Sequence, residues 1–136
     1  MRFMCIVKAK EAPLDVPQAM YDAINQLSDD AAKEGCVKLA QGGLLPSAEG
    51  ARITLNGGKI AVTDGPFTEA KEVIGGFAIF QAASKAEVIK WSLRFMELHR
   101  QHMPGWDGTC EVRQMFGEGD EPCGSAAPAR ETEAAL

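Results

Sequence analysis

Residues 73–87 read VIGGFAIFQAASKAE, an apolar run followed by a helix-start motif. The run from Val73 to Ala82 is almost wholly apolar, which is typical of a strand buried on both faces in the middle of a sheet. Ser84 and Glu87 then form a capping box, S-x-x-E, and predict a helix through about Gln101, closed by Pro104 and Gly105. A central strand followed by an amphipathic helix is therefore the starting point of the fold prediction.

Comparable signals lie on both sides of this unit. Asn56-Gly57-Gly58 between two short alternating segments is a strong β-hairpin signal. Upstream, apolar residues recur at helical spacing between Pro17 and Glu34, and Gly35 offers a stop. The predicted strands are Arg2 to Lys8, Val37 to Leu45, Arg52 to Leu55, Lys59 to Thr63, Val73 to Ala82 and Thr109 to Phe116.

The order β-α-β, hairpin, β-α-β predicts an α+β fold, a ferredoxin-like sandwich with an antiparallel sheet and an inserted hairpin. Both helices cover one face of such a sheet and leave the other face open. Either Phe77 and Ile79 or Ala78 and Phe80 must point to that open face. We therefore expect a second copy of the chain to cover it, forming a homodimer.

Length and charge limit the classes of function. The 136 residues support one domain, which we place at 1–116, followed by an acidic tail at 117–136 that we expect to be disordered. The tail holds five acids and one base, so the remaining residues are close to neutral. Without a basic stripe, direct nucleic-acid binding is not expected, and small molecules or proteins are the expected partners.

The remaining composition points to a reduced compartment. The apolar segment Phe3 to Val7 is too short for a secretory or membrane-spanning segment, so a cytoplasmic protein without membrane contact is expected. Four cysteines, at positions 5, 36, 110 and 123, form no C-x-x-C pair. They predict reduced thiols packed as small hydrophobic groups, with a reactive role as the alternative. No motif predicts a cofactor or a metal site.

The densest local motif is TDGPFTEAKE, from Thr63 to Glu72. Asp-Gly-Pro is strong turn chemistry, because the aspartate can accept bonds from backbone N–H groups two residues on and proline fixes the next residue. The motif predicts a rigid turn at the end of a strand. Whether that turn is only structural or also part of a site is left open by the residues alone.

Val62 to Glu72 followed by VIGGF resembles the hallmark of the YCII-related, or DGPF, family, and the similarity extends from Met1 through Gln114. The resemblance implies a ferredoxin-like fold of the dimeric α+β barrel group. One branch of the family has a proposed catalytic pair, a histidine on the first helix and an aspartate before a proline after the second. Here the first helix has no histidine, and the residue before Pro104 is Met103 rather than an aspartate. That catalytic pair therefore cannot be assigned to this chain. Gene fusions of some members to alternative sigma factors imply a regulatory role, although this chain has no sigma-factor region.

Two residues are candidates for catalysis, Asp64 in the turn and His99 on the second helix. At 100° per residue, His99 and Ser92 fall in the middle of the apolar face of that helix, so His99 points inward. A buried, hydrogen-bonded histidine is the plainer interpretation, and a general base beside Asp64 or Glu111 is the functional one. The candidate binding residues are Phe67, Glu69, Lys71, His102 and Trp106. A metal site at His99-x-x-His102 lacks a third ligand.

Two hypotheses follow. In the first, a dimer binds an unidentified small molecule in a cleft near the DGPF turn, with acid/base chemistry at Asp64 and His99; if that molecule is an anion, Lys71 supplies the countercharge. In the second, the chain is a non-catalytic interaction module with a regulatory, transcription-linked role, and its acidic tail orders on a protein partner. The sequence leaves open whether the protein is an enzyme.

Overall fold

The computed structural model describes residues 1–13 and 15–117. The predicted tail at 117–136 lies outside these ranges except for Gly117. The elements are β1 (Arg2–Ala9), α1 (Gln18–Lys33), β2 (Val37–Gly43), a 3-10 turn (Ser47–Glu49), β3 (Ala51–Asn56), β4 (Lys59–Asp64), β5 (Val73–Gln81), α2 (Lys85–His102) and β6 (Gly108–Gln114). This order confirms the predicted β-α-β, hairpin, β-α-β arrangement.

The main sheet has four strands in the order β2-β5-β1-β6, and every neighbouring pair is antiparallel. This is the ferredoxin-like order, in which the two β-α-β halves interleave so that β1 and β5 lie at the centre. The chain is therefore α+β, as predicted. The hairpin β3–β4 forms a separate two-stranded sheet.

Strand register determines which side chains meet the helices. Phe3 and Cys5 of β1 are buried and face Phe80 and Ala78 of β5, so these four side chains share the helix-covered face. Trp91 of α2 packs into the same buried cluster, 4% exposed. This cluster is the core of the protein.

On the other face of the sheet, the described residues place no helix. Met4 and Ile6 of β1 lie opposite Ile79 and Phe77 of β5, and we call this surface the open face. All four side chains are only half-buried. The predicted central position of β5 is thus confirmed; the helices cover one of its faces, and no element of the described chain covers the other, so its predicted burial on both faces stays a prediction that depends on a second copy.

The hairpin is built around Gly57 and Gly58, both of which have positive φ. Asn56 pairs with Lys59, so the two glycines alone form the loop. Four apolar side chains lie on one face of this hairpin, because two directly opposed pairs alternate with polar or small ones. This hairpin patch consists of Ile53, Leu55, Ile60 and Val62, which are 67–74% exposed.

Local chemistry explains the limits of α2. Ser84 Oγ accepts a hydrogen bond from Glu87 N at 3.2 Å, as the capping box predicts. Ile89 and Leu93 are 40% and 67% exposed, so the buried arc of this helix is narrower than predicted.

Within the described ranges, neither helix is both long and apolar enough to cross a membrane.

Two strands end earlier than predicted. β2 stops at Gly43 rather than Leu45, because the chain then turns toward the 3-10 turn and leaves Leu45 78% exposed. β6 stops at Gln114 rather than Phe116: Gln114 pairs with Phe3, and beyond it Met115 N donates one further backbone bond to Arg2 O at 2.9 Å. In both cases the apolar pattern continues beyond the last paired residue.

Candidate functional site

A cavity of about 350 Å³ lies between the helices and the helix-covered face of the sheet. It exists because the facing elements carry small side chains where larger ones would fill the space. Its lining is mostly apolar, and its volume falls in the range of about 300–1,000 Å³ typical of small-molecule sites. The small lining residues include Cys5, Ala31, Ala78, Ser92 and Cys110.

The cavity also has lining residues on the edge strand β2. Tyr21 of α1 lines it and is 52% exposed, so the cavity opens to solvent beside this helix. Lys38 and Gln41 line it from β2, and Lys38 Nζ donates to Gln41 Oε1 at 2.7 Å. Burial lowers the pKa of Lys38 below its ordinary value, with Asp29 acting in the opposite direction. Lys38 thus places one amino group in the lining of an otherwise mostly apolar site.

Three free thiols, Cys5, Cys36 and Cys110, line this one cavity. Cys5 Sγ lies 3.6 Å from Ser92 Oγ of α2. Hydrogen bonding from the Cys110 thiol lowers the pKa of Cys5 to about 7, against the opposing effect of burial. The same contact and burial raise the pKa of Cys110, so Cys110 keeps its proton and acts as the donor. Cys5 is the more acidic member of the pair.

The DGPF turn lies elsewhere, packed on the 3-10 turn. Gly65 passes so close to Ser47 that a β-carbon would lie 1.7 Å from the Ser47 carbonyl oxygen. Phe67 N donates to Ser47 Oγ at 3.0 Å, and the Ser47 hydroxyl donates to Glu11 at 2.6 Å. Ser47 thus holds the turn, and the predicted bond from Asp64 to the backbone of the turn is wrong.

One charged residue of the turn, Glu69, pairs with Arg52 of the neighbouring strand β3. Arg52 stacks on the Phe67 ring at 4.0 Å and forms an ion pair with Glu69. A hydrogen bond from the backbone N–H of Glu69 lowers the pKa of its own carboxyl group, and the bond from Arg52 lowers it further. This carboxylate is therefore a weak base. Asp64 ends β4 and Lys71 lies in a bend, and both are exposed.

His99 occupies the last turn of α2 and is 9% exposed. Its Nδ1 lies 3.0 Å from the Phe95 carbonyl oxygen, so Nδ1 carries the proton of this bond. Its ring contacts Phe95 and Trp106, with centroids 4.6 and 4.3 Å away. Burial lowers the pKa of His99. The predicted inward orientation is confirmed, and Trp106 covers the histidine rather than the cavity.

None of the seven predicted site residues lines the cavity, although Phe95 connects its wall to His99. Within residues 1–13 and 15–117, no hydrogen bond joins Asp64 to His99. His102 is half-buried at the end of α2. No group of three or more His, Cys, Asp or Glu side chains in these ranges is placed to hold a metal. The roles of the seven predicted site residues in catalysis and binding stay predictions.

Sequence reasoning missed Lys38, Cys5 and Cys110 as residues of one cavity. Alternation along β1 places Cys5 on the same face as Phe3, and helical spacing places Ser92 on the inward face of α2. The inward orientation of these two residues could therefore be predicted from the sequence. The meeting of β1 with β6 could not be read from either segment, because it depends on pairing across about a hundred residues.

Comparison with known proteins adds the family. The model of the YCII-related domain matches residues 1–95, which span β1 through most of α2 and include the DGPF turn. The matched range is shorter than the span to Gln114 over which the resemblance was noted. No curated protein matches the chain. Because the matched domain covers more than half of the sequence and its ferredoxin-like order is present, the chain belongs to the YCII-related domain family.

Proposed function

We propose that the protein binds a small, mainly apolar molecule with an anionic end in the cavity between its helices and its sheet. The single observation that carries this proposal is the 350 Å³ space with apolar walls and one lysine. Filling such a space removes apolar surface of both ligand and protein from water, at about 25 cal/mol per Å². This site replaces the neighbourhood of the DGPF turn as the place where a ligand is expected.

Lys38 is the residue that we expect to bind the anionic end of the ligand. Its Nζ is partly desolvated and already donates to Gln41, so a carboxylate there gains a charge-assisted hydrogen bond at low additional cost. The walls beyond it are mostly apolar and include the rings of Phe80 and Trp91. The ligand class that fits both features is a short apolar carboxylic acid.

Calorimetric titration with octanoate tests this function. We expect binding to the native protein and a thermal stabilisation of about 2.7 kcal/mol at a hundred times the dissociation constant. Ala78→Leu fills the cavity from β5 and abolishes binding, whereas Ala61→Leu on the exposed hairpin keeps it. Lys38→Met removes the preference for octanoate over octanol. The absence of binding, or equal binding by Ala78→Leu, contradicts the proposal.

We also propose a homodimer in which a second copy covers the hairpin patch and the open face. A two-stranded hairpin is at best marginal in water, yet this one leaves Leu55 and Ile60 70% and 72% exposed. A patch without charges can meet its own copy across a two-fold axis without like-charge repulsion. This supports the dimeric α+β barrel arrangement that the family resemblance implies.

Sedimentation of two hairpin variants tests the dimer. Leu55→Glu places a carboxylate in the hairpin patch and is expected to yield monomers. Thr54→Glu adds the same charge on the opposite face of the same strand and is expected to remain dimeric. A native protein that sediments as a monomer overturns the homodimer and favours the interaction-module alternative, in which another protein covers the hairpin patch.

We also propose a cytoplasmic location for the protein. The free thiols Cys5, Cys36 and Cys110 suit a reducing compartment such as the cytoplasm. Acid/base chemistry at Asp64 and His99 is not needed for binding in the cavity. The transcription-linked role depends on the acidic tail, which lies outside the described residues.

A further inference from the structure

We infer that Cys5 is a nucleophilic thiol of the cavity and that it adds to small apolar α,β-unsaturated ketones, with Cys110 as the proton donor. The inference rests on the proposed binding of apolar molecules in this cavity. It deepens that function by naming a reactive atom and a class of substrate. Nothing in the DGPF turn takes part in it.

The strand register and the helix packing bring two polar side chains to the neighbourhood of the Cys5 sulfur. Cys5 is on β1 opposite Val112 of β6, and Cys110 lies two residues away on the same face of β6. Ser92 reaches Cys5 from α2, with 3.6 Å between Oγ and Sγ. Cys5, Ser92 and Cys110 all line the cavity, so a molecule bound there meets the Cys5 sulfur, the Ser92 hydroxyl and the Cys110 thiol together.

The other titratable groups near Cys5 do not supply a competing nucleophile. Cys36, just before β2, opposes ionisation of Cys5, and burial together with Glu87 raises the pKa of Cys36 itself. Lys38 lines the cavity from β2 and Tyr21 lines it from α1, and apart from Lys38 no charged residue of the described ranges lines it. Cys5 is therefore the thiol of this cavity that ionises most readily.

Ionisation alone gives a small rate advantage. A pKa of about 7 rather than about 8.5 raises the thiolate fraction near neutral pH from about 3% to about one half. Intrinsic nucleophilicity falls with pKa and removes about fivefold of that gain, which leaves about threefold. The cavity must therefore supply most of the selectivity, by concentrating apolar electrophiles beside the sulfur.

The chemical step needs no oxidant or cofactor. The Cys5 thiolate forms a bond from Sγ to the β-carbon of the ketone, and the carbon–carbon π pair moves to give an enolate. The α-carbon of the enolate takes the proton of Cys110, and water reprotonates the Cys110 thiolate. The product is a thioether on Cys5 that contains the atoms of the thiol and the ketone.

The test uses the full chain with Cys123→Ser, which removes the thiol of the acidic tail. Pentyl vinyl ketone and methyl vinyl ketone carry the same reactive group with and without an apolar chain. Peptide mass mapping identifies the modified cysteine, and the rate is followed against pH. We expect modification at Cys5, a midpoint near pH 7, and a preference for the pentyl ketone that disappears on unfolding.

Variants separate a nucleophile from a buried structural thiol. Cys5→Ser, or Cys5→Ala if the serine variant does not fold, loses the adduct, whereas Cys36→Ser keeps it. Cys110→Ala removes the donor, moves the midpoint of the pH–rate profile upward and slows the reaction near neutral pH about threefold. Ala78→Leu abolishes the preference for the pentyl ketone.

Adducts at Cys36 or Cys110 with Cys5 unmodified overturn the inference, as does an unchanged profile in Cys110→Ala. If octanoate still binds to a protein whose Cys5 is unreactive, the proposed function stands and only this inference fails. If octanoate binding is also absent, both fail.

Discussion

Gly65 lies so close to the 3-10 turn that any side chain at position 65 would collide with the Ser47 backbone. Gly65→Ala is therefore expected to destabilise the fold by about 1–3 kcal/mol through overpacking. The measurement is the urea midpoint of unfolding. Gly43→Ala is the matched control, because a β-carbon at Gly43 would have no neighbour within 4 Å and Gly43 has no positive φ. Equal midpoints for the two variants would contradict this account of the DGPF turn.

His99 predicts a pH dependence of stability. Burial lowers the pKa of His99 in the folded state, so the unfolded chain binds this proton more readily. The contribution of His99 to the free energy of unfolding is present above about pH 6.5, the pKa of histidine in the unfolded chain, and is lost as the pH falls below that value. In His99→Phe, the decline of the unfolding free energy from about pH 8 to about pH 5 should be smaller. An identical decline in both proteins would argue against a buried, neutral histidine.

The single-residue predictions differ in what the sequence supported. The helical wheel was sufficient to orient His99, because the position of a side chain on a helix follows from its spacing. The need for glycine at position 65 has a different origin. It comes from the 3-10 turn, eighteen residues earlier, and no local pattern around Asp64-Gly65-Pro66 contains that contact.

At the scale of an element, the start of α2 depends on one side chain. Ser84→Ala removes the acceptor of the Glu87 N–H and should cost about 1 kcal/mol of stability. Ser84→Asp, which keeps an acceptor at the cap, should retain most of it. Thermal unfolding of the three proteins measures the difference. A loss of stability in Ser84→Asp equal to that in Ser84→Ala would exclude capping as the cause.

Elements with local signals were predicted well, and their ends were not. The hairpin and the start of α2 follow from the Asn56-Gly57-Gly58 turn and the capping box, which act within a few residues. The ends of β2 and β6 depend on where pairing with the neighbouring strand stops, at Gly43 opposite Gly76 and at Gln114 opposite Phe3. Since alternation continues past that point, the apolar pattern overestimated both strands by two residues.

At the scale of the whole molecule, the proposed dimer makes stability depend on concentration. Association that is linked to folding raises the Tm with protein concentration by mass action. Calorimetry over about a hundredfold range of concentration should show this rise in the native protein and in Thr54→Glu. In Leu55→Glu the rise should be absent. A constant Tm in the native protein would contradict coverage of the hairpin patch by a second copy.

The sequence by itself determined the element order, the α+β class, the family motif and the apolar faces of the helices. These follow from periodicity, capping and turn chemistry, which operate over short stretches of chain. Only the tertiary structure decided that Cys5, Ser92 and Cys110 surround one cavity, that Ser47 holds the DGPF turn, and that the cavity and the turn are separate. The physical reason is that strand pairing and helix packing join residues far apart in sequence, and the space left between them depends on all the facing side chains at once.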